Sequence, residues 1–282
     1  MIQLFGSLSM NVKLVAELGI NHNGDLLLAK RLIDVAKFAG CHYVKFQKRD
    51  IDLVYAEEEL NKPRESPWGS TQREQKQGLE FEKRDYDFMA EYCSQIGIQW
   101  FISPWDVNSV DFLMQYKPPF IKIPSALITN TELVEAVKAT EVPVIISTGM
   151  STEEEVGNCC TLLGGRLIYI LACTSTYPTP DAEMNLKFIL KLKKEFPQYK
   201  IGFSNHSPGI QYLIIAAAYG AEMLEFHITM DRAMYGSGQA ASIEMQGVLQ
   251  IVKHVSNVER AMGSGEWKVY PSEEKIKEKL RR

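Results

Sequence analysis

Short apolar segments alternate with segments of helical periodicity along the whole chain, and this alternation constrains the fold more than any other feature. Between the apolar segments lie helical patterns such as 25–38 and 182–195. The candidate strands are 12–20, 42–48, 98–103, 119–125, 142–148, 166–174, 200–205 and 223–229. Short apolar strands that alternate with helices predict a parallel sheet covered on both faces. Eight such units in 282 residues predict an α/β fold, a closed (β/α)8 TIM barrel forming a single domain over 1–282.

One segment interrupts this alternation. Residues 49–80 are far longer than a usual connection between a strand and a helix. Loops that follow the strands of a barrel carry its functional residues. Two interpretations therefore stay open, a partly ordered lid over the site and a peripheral insertion. At the other end of the chain, the charge-rich segment 270–282 predicts a solvated helical tail.

Composition excludes several classes of protein. The net charge of the chain is −4. The basic residues of the chain are dispersed along the sequence, whereas binding of nucleic acid requires a clustered basic surface. No apolar run approaches the roughly 20 residues of a membrane span, and the opening stretch 1–14 lacks the pattern of a signal peptide. The five cysteines have no framework spacing, which favours reduced thiols packed in the interior. We therefore expect a cytoplasmic protein that binds neither nucleic acid nor membrane.

Polar side chains recur at the carboxyl ends of the predicted strands, where barrels carry their active sites. Lys45 and Lys122 stand on apolar strands, where an unpaired ammonium is unfavourable. Pairing with a glutamate inside the barrel would explain either lysine alone. Both lysines together, with hydroxyl groups on other strands, predict a site for a phosphorylated acid. The candidate site residues are Glu17, Lys45, Gln47, Lys122, Ser125, Ser147, Ser175, Tyr177, Ser204, His206 and His227.

Two of the predicted strands end in histidine. His206 and His227 fall on neighbouring strands at the same depth, so one Mn²⁺, Fe²⁺ or Zn²⁺ ion can contact both imidazoles. Glu17 is a nearby carboxylate, and such a set leaves coordination positions open for substrate or water. A hydrogen-bonded core residue is the alternative for each histidine taken alone. His22 is a further candidate ligand or pocket wall, and His42, which opens a strand, is expected at the opposite face.

Seven motifs together resemble the sialic acid synthase (N-acetylneuraminate synthase) family, and the resemblance runs from about 12 to 270. They are "AELGINHNGD", "VKFQ", "IKIPSA", "IISTGMST", "CTSTYPT", "GFSNHS" and "EFHITMDRAMYG". The resemblance implies a barrel enzyme that uses a divalent metal, Mn²⁺ or Mg²⁺. It also implies condensation of phosphoenolpyruvate with an N-acylated amino sugar aldehyde, similar to N-acetylmannosamine. The implied product is a nine-carbon 2-keto-3-deoxy acid of the sialic type, formed with release of phosphate.

The resemblance also implies roles for the matching positions. His206 and His227 correspond to the metal ligands, and Glu17 to a carboxylate at the metal that positions or deprotonates water. Gln47 and Tyr177 correspond to residues lining the sugar pocket. The groups around phosphoenolpyruvate correspond to Lys45, Lys122, Ser125, Ser147 and Ser204. Glu17, Lys45 and Lys122 are therefore the expected catalytic residues, and Ser175, from the strand ends alone, is a further substrate-binding candidate.

The chain departs from the family pattern at four positions. Leu127, Ala172, Phe226 and Gly238 stand where the family usually carries polar or charged residues. We expect these changes to alter the sugar side of the pocket and to leave the phosphoenolpyruvate side intact. The family barrel is usually followed by a small antifreeze-protein-like domain, and this sequence reaches "KIKEKLRR" where that domain begins, so we expect the barrel domain only.

Several functional alternatives follow from these departures. One is the same condensation with a different sugar aldehyde. Another is a catalytically weak pseudoenzyme in surface-polysaccharide biosynthesis, which the two lysines and two histidines argue against. An aldolase that uses free pyruvate would need no grip on a phosphate, so the five phosphate-side groups disfavour it. Family members are commonly dimers, and a homodimer through the barrel helices is a further expectation.

Overall fold

Strands and helices alternate through the chain as the sequence predicts. The computed structural model describes residues 10–281, so residues 1–9, which make up most of the opening stretch discussed above, and Arg282 lie outside it. The strands are β1 (Lys13–Gly19), β2 (Tyr43–Lys48), β3 (Pro63–Ser66), β4 (Gly69–Thr71), β5 (Gln99–Pro104), β6 (Ile121–Ile123), β7 (Val144–Ser147), β8 (Leu167–Cys173), β9 (Lys200–Asn205), β10 (Met223–Thr229) and β11 (Ile243–Glu244).

Eight of these strands form a closed parallel barrel. Neighbouring strands pair in the order β1, β2, β5, β6, β7, β8, β9, β10, and β10 pairs in parallel with β1 to complete the ring. Each of the eight predicted strands is confirmed, although β6 is shorter than the predicted 119–125. The short β11 pairs with the end of β10. The (β/α)8 fold class is therefore confirmed.

The apolar core has two parts, one on each side of the barrel wall. Val15, Phe101, Ile145, Leu171 and Met223 are fully buried and form one cluster inside the ring. The larger cluster lies between the strands and the surrounding helices. Successive side chains of a strand point to opposite faces, so each barrel strand supplies both clusters by alternation. This division decides which strand residues face the site.

Helices surround the barrel and follow its strands. They are α1 (Leu26–Ala39), α2 (Ile51–Val54), α3 (Glu57–Leu60), α4 (Gln72–Leu79), α5 (Lys83–Ile96), α6 (Val107–Met114), α7 (Thr131–Ala139), α8 (Glu153–Leu163), α9 (Phe188–Glu195), α10 (Gln211–Ala218), α11 (Met245–Ala261) and α12 (Pro271–Leu280). The predicted helix 25–38 corresponds to α1, which begins after an N-cap at Asp25. The prediction of helix from 182 is wrong. Asn185 has a φ of +44°, which interrupts helical geometry, and α9 begins only at Phe188.

The segment 49–80 is an ordered excursion that packs on the carboxyl-terminal mouth of the barrel. It contains α2, α3, the antiparallel pair β3–β4 and α4. A capping box between Thr71 and Glu74 starts α4. The indole of Trp68 meets the ring of Tyr235, which follows β10, with ring centroids 5.6 Å apart. We call this segment the excursion below.

The remaining expectations concern the tail, the cysteines and His42. Helix α12 is exposed along its length, as predicted for a solvated tail. All five cysteines are free thiols. His42 lies just before β2, where its Nδ1 accepts a hydrogen bond from the Leu14 amide at 3.1 Å, at the expected face. Among residues 10–281, no helix combines the length and the apolar character needed to cross a membrane.

Candidate active site

A cavity of about 140 Å³ lies at the carboxyl ends of the barrel strands. It is lined by all eleven candidate residues that the sequence predicts, which come from seven strands and the loops after them. Six further residues complete the lining: Ser103, Trp105, Pro124, Ala126, Met150 and Glu225. The sequence therefore predicts correctly that these eleven residues gather around one cavity, whereas the function of this cavity and the roles of the residues stay predictions.

Alternation along the strands selects the side chains that reach this cavity. On β2, Lys45 and Gln47 point into the cavity, whereas Phe46 between them packs in the outer cluster. On β10, Glu225 and His227 point into the cavity, whereas Phe226 between them packs in the outer cluster. Parallel pairing brings the elements into one layer, because Glu17 on β1 lies opposite both Lys45 and His227.

Two lysines and two glutamates form an ionic network at the base of the cavity, and each of the four side chains is about 5% exposed or less. Lys45 Nζ lies 2.7 Å from Glu17 Oε2 and 3.8 Å from Glu225 Oε2. Lys122 Nζ lies 2.9 Å from Glu225 Oε1. Both lysines are thus paired, as burial of an ammonium requires, while both still face the cavity.

Neutral donors extend the network to neighbouring strands. Lys45 donates to Ser103 Oγ at 3.1 Å, and Gln47 Nε2 donates to Glu17 Oε1 at 2.8 Å. The Ser204 hydroxyl donates to Glu225 Oε1 at 3.0 Å. These bonds fix the orientation of both carboxylates, so the ammonium groups are held in place before any ligand binds.

The network shifts the pKa values of Glu17 and Glu225 in opposite directions. Burial would raise the pKa of Glu225, but the ammonium groups of Lys122 and Lys45 outweigh burial and hold its pKa at about 2. Burial raises the pKa of Glu17, and the negative charge of Glu225 adds to that rise. Burial lowers the pKa of Lys122, whereas Glu17 and Glu225 overcome burial and raise the pKa of Lys45. Two carboxyl groups with divergent pKa values favour a charge-holding role for Glu225 and a proton-transfer role for Glu17.

His206 and His227 lie side by side at the rim of the cavity. Their ring centroids are 5.5 Å apart, and the ring planes are inclined by 49°. The Thr174 carbonyl oxygen can only accept a hydrogen bond, so the contact of 2.8 Å from His206 Nδ1 places the proton on that nitrogen. His206 Nε2 is then an acceptor, and it receives the Tyr177 hydroxyl at 2.8 Å.

These two imidazoles fit the requirements of a divalent cation. The bond to the Thr174 carbonyl orients His206 in the way that outer partners orient metal-binding imidazoles. Burial lowers the pKa of His227, so its ring is neutral and can bind a metal. Within residues 10–281 no group of three or more His, Cys, Asp or Glu side chains forms a metal cluster. The protein would therefore contribute two ligands and leave the other positions to substrate and solvent.

Hydroxyl groups line the side of the cavity opposite β1. Ser147 Oγ is buried and has no hydrogen-bond partner within the described chain, so it is free to donate to a ligand. Ser125 Oγ accepts the amide of Gly149 at 3.0 Å. A Cβ on Gly149 would lie 2.1 Å from Ser175 Oγ, so only glycine allows the two serines to sit so close to this turn. These hydroxyls can complement anionic oxygens that the lysines attract.

None of the four residues at which the chain departs from the family pattern lines the cavity, so their effect on the sugar side of the pocket stays a prediction. Ala172 and Phe226 belong to the outer core, and Leu127 packs against it. Phe226 sits between Glu225 and His227, so alternation turns it away from the cavity. Gly238 is not part of the cavity wall either, and a Cβ there would lie 2.8 Å from Asn21 Oδ1.

His22, a further candidate from the sequence, also lies outside the cavity wall. Its ring stacks on Phe81 with centroids 3.9 Å apart, and its Nδ1 accepts the Gly24 amide at 3.2 Å. Burial lowers the pKa of His22 to about 3, so the ring is a neutral packing group. It supports the turn after β1 rather than a metal.

Glu225 is the functional residue that the sequence-based assignment of roles missed. It stands at a strand end, and its position two residues before His227 on one strand places both side chains on one face. That spacing was the available signal, but a carboxylate that neutralises both lysines is recognisable only once β6, β2 and β10 are seen to surround one cavity.

Comparison with known proteins points to one family. The model of the NeuB family matches residues 32–267. The chain is 36% identical over 272 residues to the N-acetylneuraminate-9-phosphate synthase of Homo sapiens, covering 95% of this chain and 76% of that protein. It is 34% identical over 284 residues to the N,N'-diacetyllegionaminic acid synthase of Legionella pneumophila, covering 97% of this chain and 80% of that protein.

A solved structure extends the likeness to the fold. The N-acetylneuraminic acid synthetase of Leptospira borgpetersenii, solved in complex with citrate, superposes with a TM-score of 0.83 at 29% identity. The match covers 96% of this chain and 93% of that chain. The sequence matches and the structural match therefore each extend over 95% or more of this chain.

Proposed function

Because the chain belongs to the NeuB family of sugar acid synthases, we propose that it condenses phosphoenolpyruvate with the aldehyde of an N-acylated amino sugar similar to N-acetylmannosamine, in a metal-dependent reaction. The product is a nine-carbon 2-keto-3-deoxy acid of the sialic type. The observation that carries this proposal is the pair of buried lysines, bridged by Glu225, beneath the two histidines. This arrangement places an anion-binding site and a cation-binding site in a single cavity.

Phosphoenolpyruvate carries two anionic groups, a carboxylate and a phosphate. Lys45 and Lys122 provide one ammonium for each, on strands β2 and β6. Ser147, whose buried hydroxyl lacks a partner, and Ser125 donate hydrogen bonds from the neighbouring wall. Fixed ammonium and hydroxyl groups hold the enol carbon in one orientation, so much of the rate gain is positional and electrostatic.

The condensation consumes one water and releases one phosphate. C3 of phosphoenolpyruvate forms a bond to the aldehyde carbon, and the aldehyde oxygen gains a proton. Water adds at C2, and the bond between C2 and the phosphate oxygen breaks as the ketone forms. Glu17 accepts a proton from this water, a role that suits a buried carboxyl group whose pKa is raised. Gln47 orients Glu17 through the hydrogen bond of 2.8 Å to its Oε1.

His206 and His227 are the residues that would hold the divalent cation, Mn²⁺ or Mg²⁺. When bound, this ion supplies Lewis-acid polarisation of the aldehyde oxygen. Tyr177 donates its hydroxyl to His206 Nε2 in the structure, so this ring must exchange that partner when it binds a metal. Tyr177 is then free to bond a hydroxyl or the acyl group of the sugar.

The proposal is tested by phosphate release from phosphoenolpyruvate in the presence of Mn²⁺ and a panel of sugar aldehydes. We expect release that requires both the metal and an N-acylated amino sugar, with a nine-carbon acid identified by mass spectrometry. Release supported equally by non-acylated hexoses would overturn the acceptor class. An absence of release with every aldehyde, despite measurable Mn²⁺ binding, would contradict the enzymatic proposal as a whole.

A further inference from the structure

A second cavity of about 140 Å³ lies under the excursion, and its walls are basic. Arg49, Arg64 and Lys76 line it together with one carboxylate, Glu80. Three cationic side chains against one anionic side chain leave this cavity with a net positive charge. We call it the basic cavity.

Two of the three cations have no anionic partner. Arg49 Nε lies 2.6 Å from Glu80 Oε1, so this pair is satisfied. Arg64 contacts only an amide oxygen, that of Gln72 at 3.3 Å, and Lys76 lies over the ring of Tyr55 at 4.2 Å. Within the described part of the chain, neither has a carboxylate oxygen within 4.0 Å of its charged nitrogens.

A neighbouring arginine outside the basic cavity is fully paired with carboxylates, so the excess of positive charge is confined to the cavity. Arg73 lies on the same helix as Lys76 and contacts two carboxylates, Asp52 and Glu57. Burial, followed by the charges of Arg64 and Arg49, lowers the pKa of Lys76, and the charge of Glu59 offsets only part of this shift. Half-buried cations that repel one another are expected where an anion binds.

The basic cavity adjoins the mouth of the active site. Arg49 follows Gln47, which lines the active site, by two residues. Ile20, which also lines the basic cavity, follows Gly19, and a Cβ on Gly19 would lie 3.2 Å from Glu17 Oε1 and 3.3 Å from His227 Nδ1. The ends of β1 and β2 and the residues that follow them therefore line both cavities.

We propose that the basic cavity binds a phosphate monoester on the terminal carbon of the acceptor, so that the substrate is an N-acylated hexosamine 6-phosphate. This inference rests on the condensation proposed above. Phosphoenolpyruvate contributes three carbons of the product and the acceptor six, so C6 of the acceptor becomes C9 of the product. The human relative is named for a product that carries phosphate at that carbon, whereas the Legionella relative is not.

The chemistry of the cavity suits a phosphate monoester. A guanidinium can donate two parallel hydrogen bonds to phosphate oxygens, and Lys76 adds a third charged donor. Ser237, which also lines the cavity, offers a hydroxyl.

The selectivity of the enzyme tests this inference. Wild-type kcat/KM is measured for an N-acylated hexosamine and for its 6-phosphate, with Arg64→Gln, Lys76→Met and the control Lys62→Met. Lys62 is an exposed lysine of the excursion that is paired with Glu59. We expect the wild type to prefer the phosphorylated sugar, and each of the first two variants to lower that preference roughly tenfold or more. Lys62→Met should keep the preference, and no variant should raise KM for phosphoenolpyruvate tenfold, because its phosphate binds at Lys45 and Lys122.

A binding experiment separates this inference from the proposed reaction. Calorimetry with the corresponding 6-phosphorylated sugar alcohol, which has no aldehyde, reports the phosphate site without turnover. Binding that Arg64→Gln and Lys76→Met weaken would support the site even if no condensation occurred, and inorganic phosphate should compete for it. No preference for the phosphorylated acceptor, equal losses for both acceptors, or alcohol binding that neither variant changes would overturn the inference.

Discussion

At the scale of single residues, Glu225 determines how the two lysines of the active site are held. Its Oε1 lies 2.9 Å from Lys122 Nζ and accepts the hydroxyl of Ser204, while its Oε2 lies 3.8 Å from Lys45 Nζ. Removal of one partner from a buried ion pair destabilises a protein more than the pair stabilises it, because the other charge is left uncompensated. Glu225 is therefore both a structural and a positioning residue.

We predict that Glu225→Gln lowers the free energy of unfolding by roughly 3 kcal/mol, since Lys122 loses its carboxylate partner. Phosphoenolpyruvate should then raise the melting temperature of the variant more than that of the wild type, because the ligand restores negative charge beside the lysines. Thermal unfolding with and without the ligand measures both effects. Glu222→Gln, at an exposed position just before β10, is the control. Equal ligand-induced shifts in wild type and variant would contradict this role.

For the metal site, we predict that His206→Ala and His227→Ala each weaken Mn²⁺ binding by roughly a hundredfold or more, because each removes one of two protein ligands. Electron paramagnetic resonance of free Mn²⁺ measures this affinity without any need for turnover. His254→Ala, on helix α11, controls for loss of an unrelated histidine. Circular dichroism should show both variants folded, and an undiminished affinity in either would remove that residue from the metal site.

Residue identity and strand periodicity were enough to predict that the eleven candidate residues gather at one cavity, because the carboxyl ends of parallel strands meet at one face of the barrel. They were not enough to assign partners. Glu225 and Lys122 are 103 positions apart, and their bond depends on the curvature of the barrel. Similarly, Ala172 and Phe226 looked like changes to the pocket because the family pattern gives no orientation, whereas the strands turn both away from the cavity.

At the scale of elements, the excursion was recognisable by its length alone, which left a lid and a peripheral insertion equally open. The structure shows an ordered segment whose Trp68 packs against Tyr235, a residue far along the chain, and whose Arg64 and Lys76 line the basic cavity. Sequence periodicity could not show this, because these contacts connect the excursion to loops that follow other strands.

We predict that Gly78→Ala loosens the excursion. The backbone of Gly78 packs directly on the indole, and an added Cβ would lie 2.1 Å from Trp68 Cγ, so the ring must move away. Hydrogen exchange over 63–79 should become faster, and the preference for a phosphorylated acceptor should fall as α4 and its Lys76 shift. Gly165→Ala, where an added Cβ meets nothing within 4 Å, is the control. Unchanged exchange in Gly78→Ala would show that Trp68 does not anchor the segment.

At the scale of the whole molecule, closure of the barrel is what assembles the site. Pairing of β1 with β10 sets Glu17 opposite His227, and pairing of β1 with β2 sets Glu17 opposite Lys45. A slip of one residue in either pair would turn one set of side chains to the helix layer. The sequence predicted the number and direction of the strands, but this register follows from packing inside the ring.

Close packing at Gly202 on β9 supports the last prediction. An added Cβ there would lie 2.4 Å from Leu171 Cδ2 and 2.6 Å from the Met223 carbonyl oxygen. The leucine can rotate, whereas the carbonyl belongs to the backbone of β10, so Gly202→Ala must push β9 and β10 apart. We expect the free energy of unfolding, measured in urea, to fall by about 1–3 kcal/mol.

The same displacement should impair the site beyond its effect on stability, because His206 follows β9 and His227 lies on β10. We therefore expect Mn²⁺ affinity and kcat to fall in Gly202→Ala at temperatures where the variant is fully folded. Gly157→Ala is the matched control, since its Cβ would meet nothing within 4 Å in the middle of α8. That variant should gain up to about 1 kcal/mol of stability and keep both activities. A stable Gly202→Ala protein with unchanged metal affinity would show that the spacing of β9 and β10 does not control the two histidines.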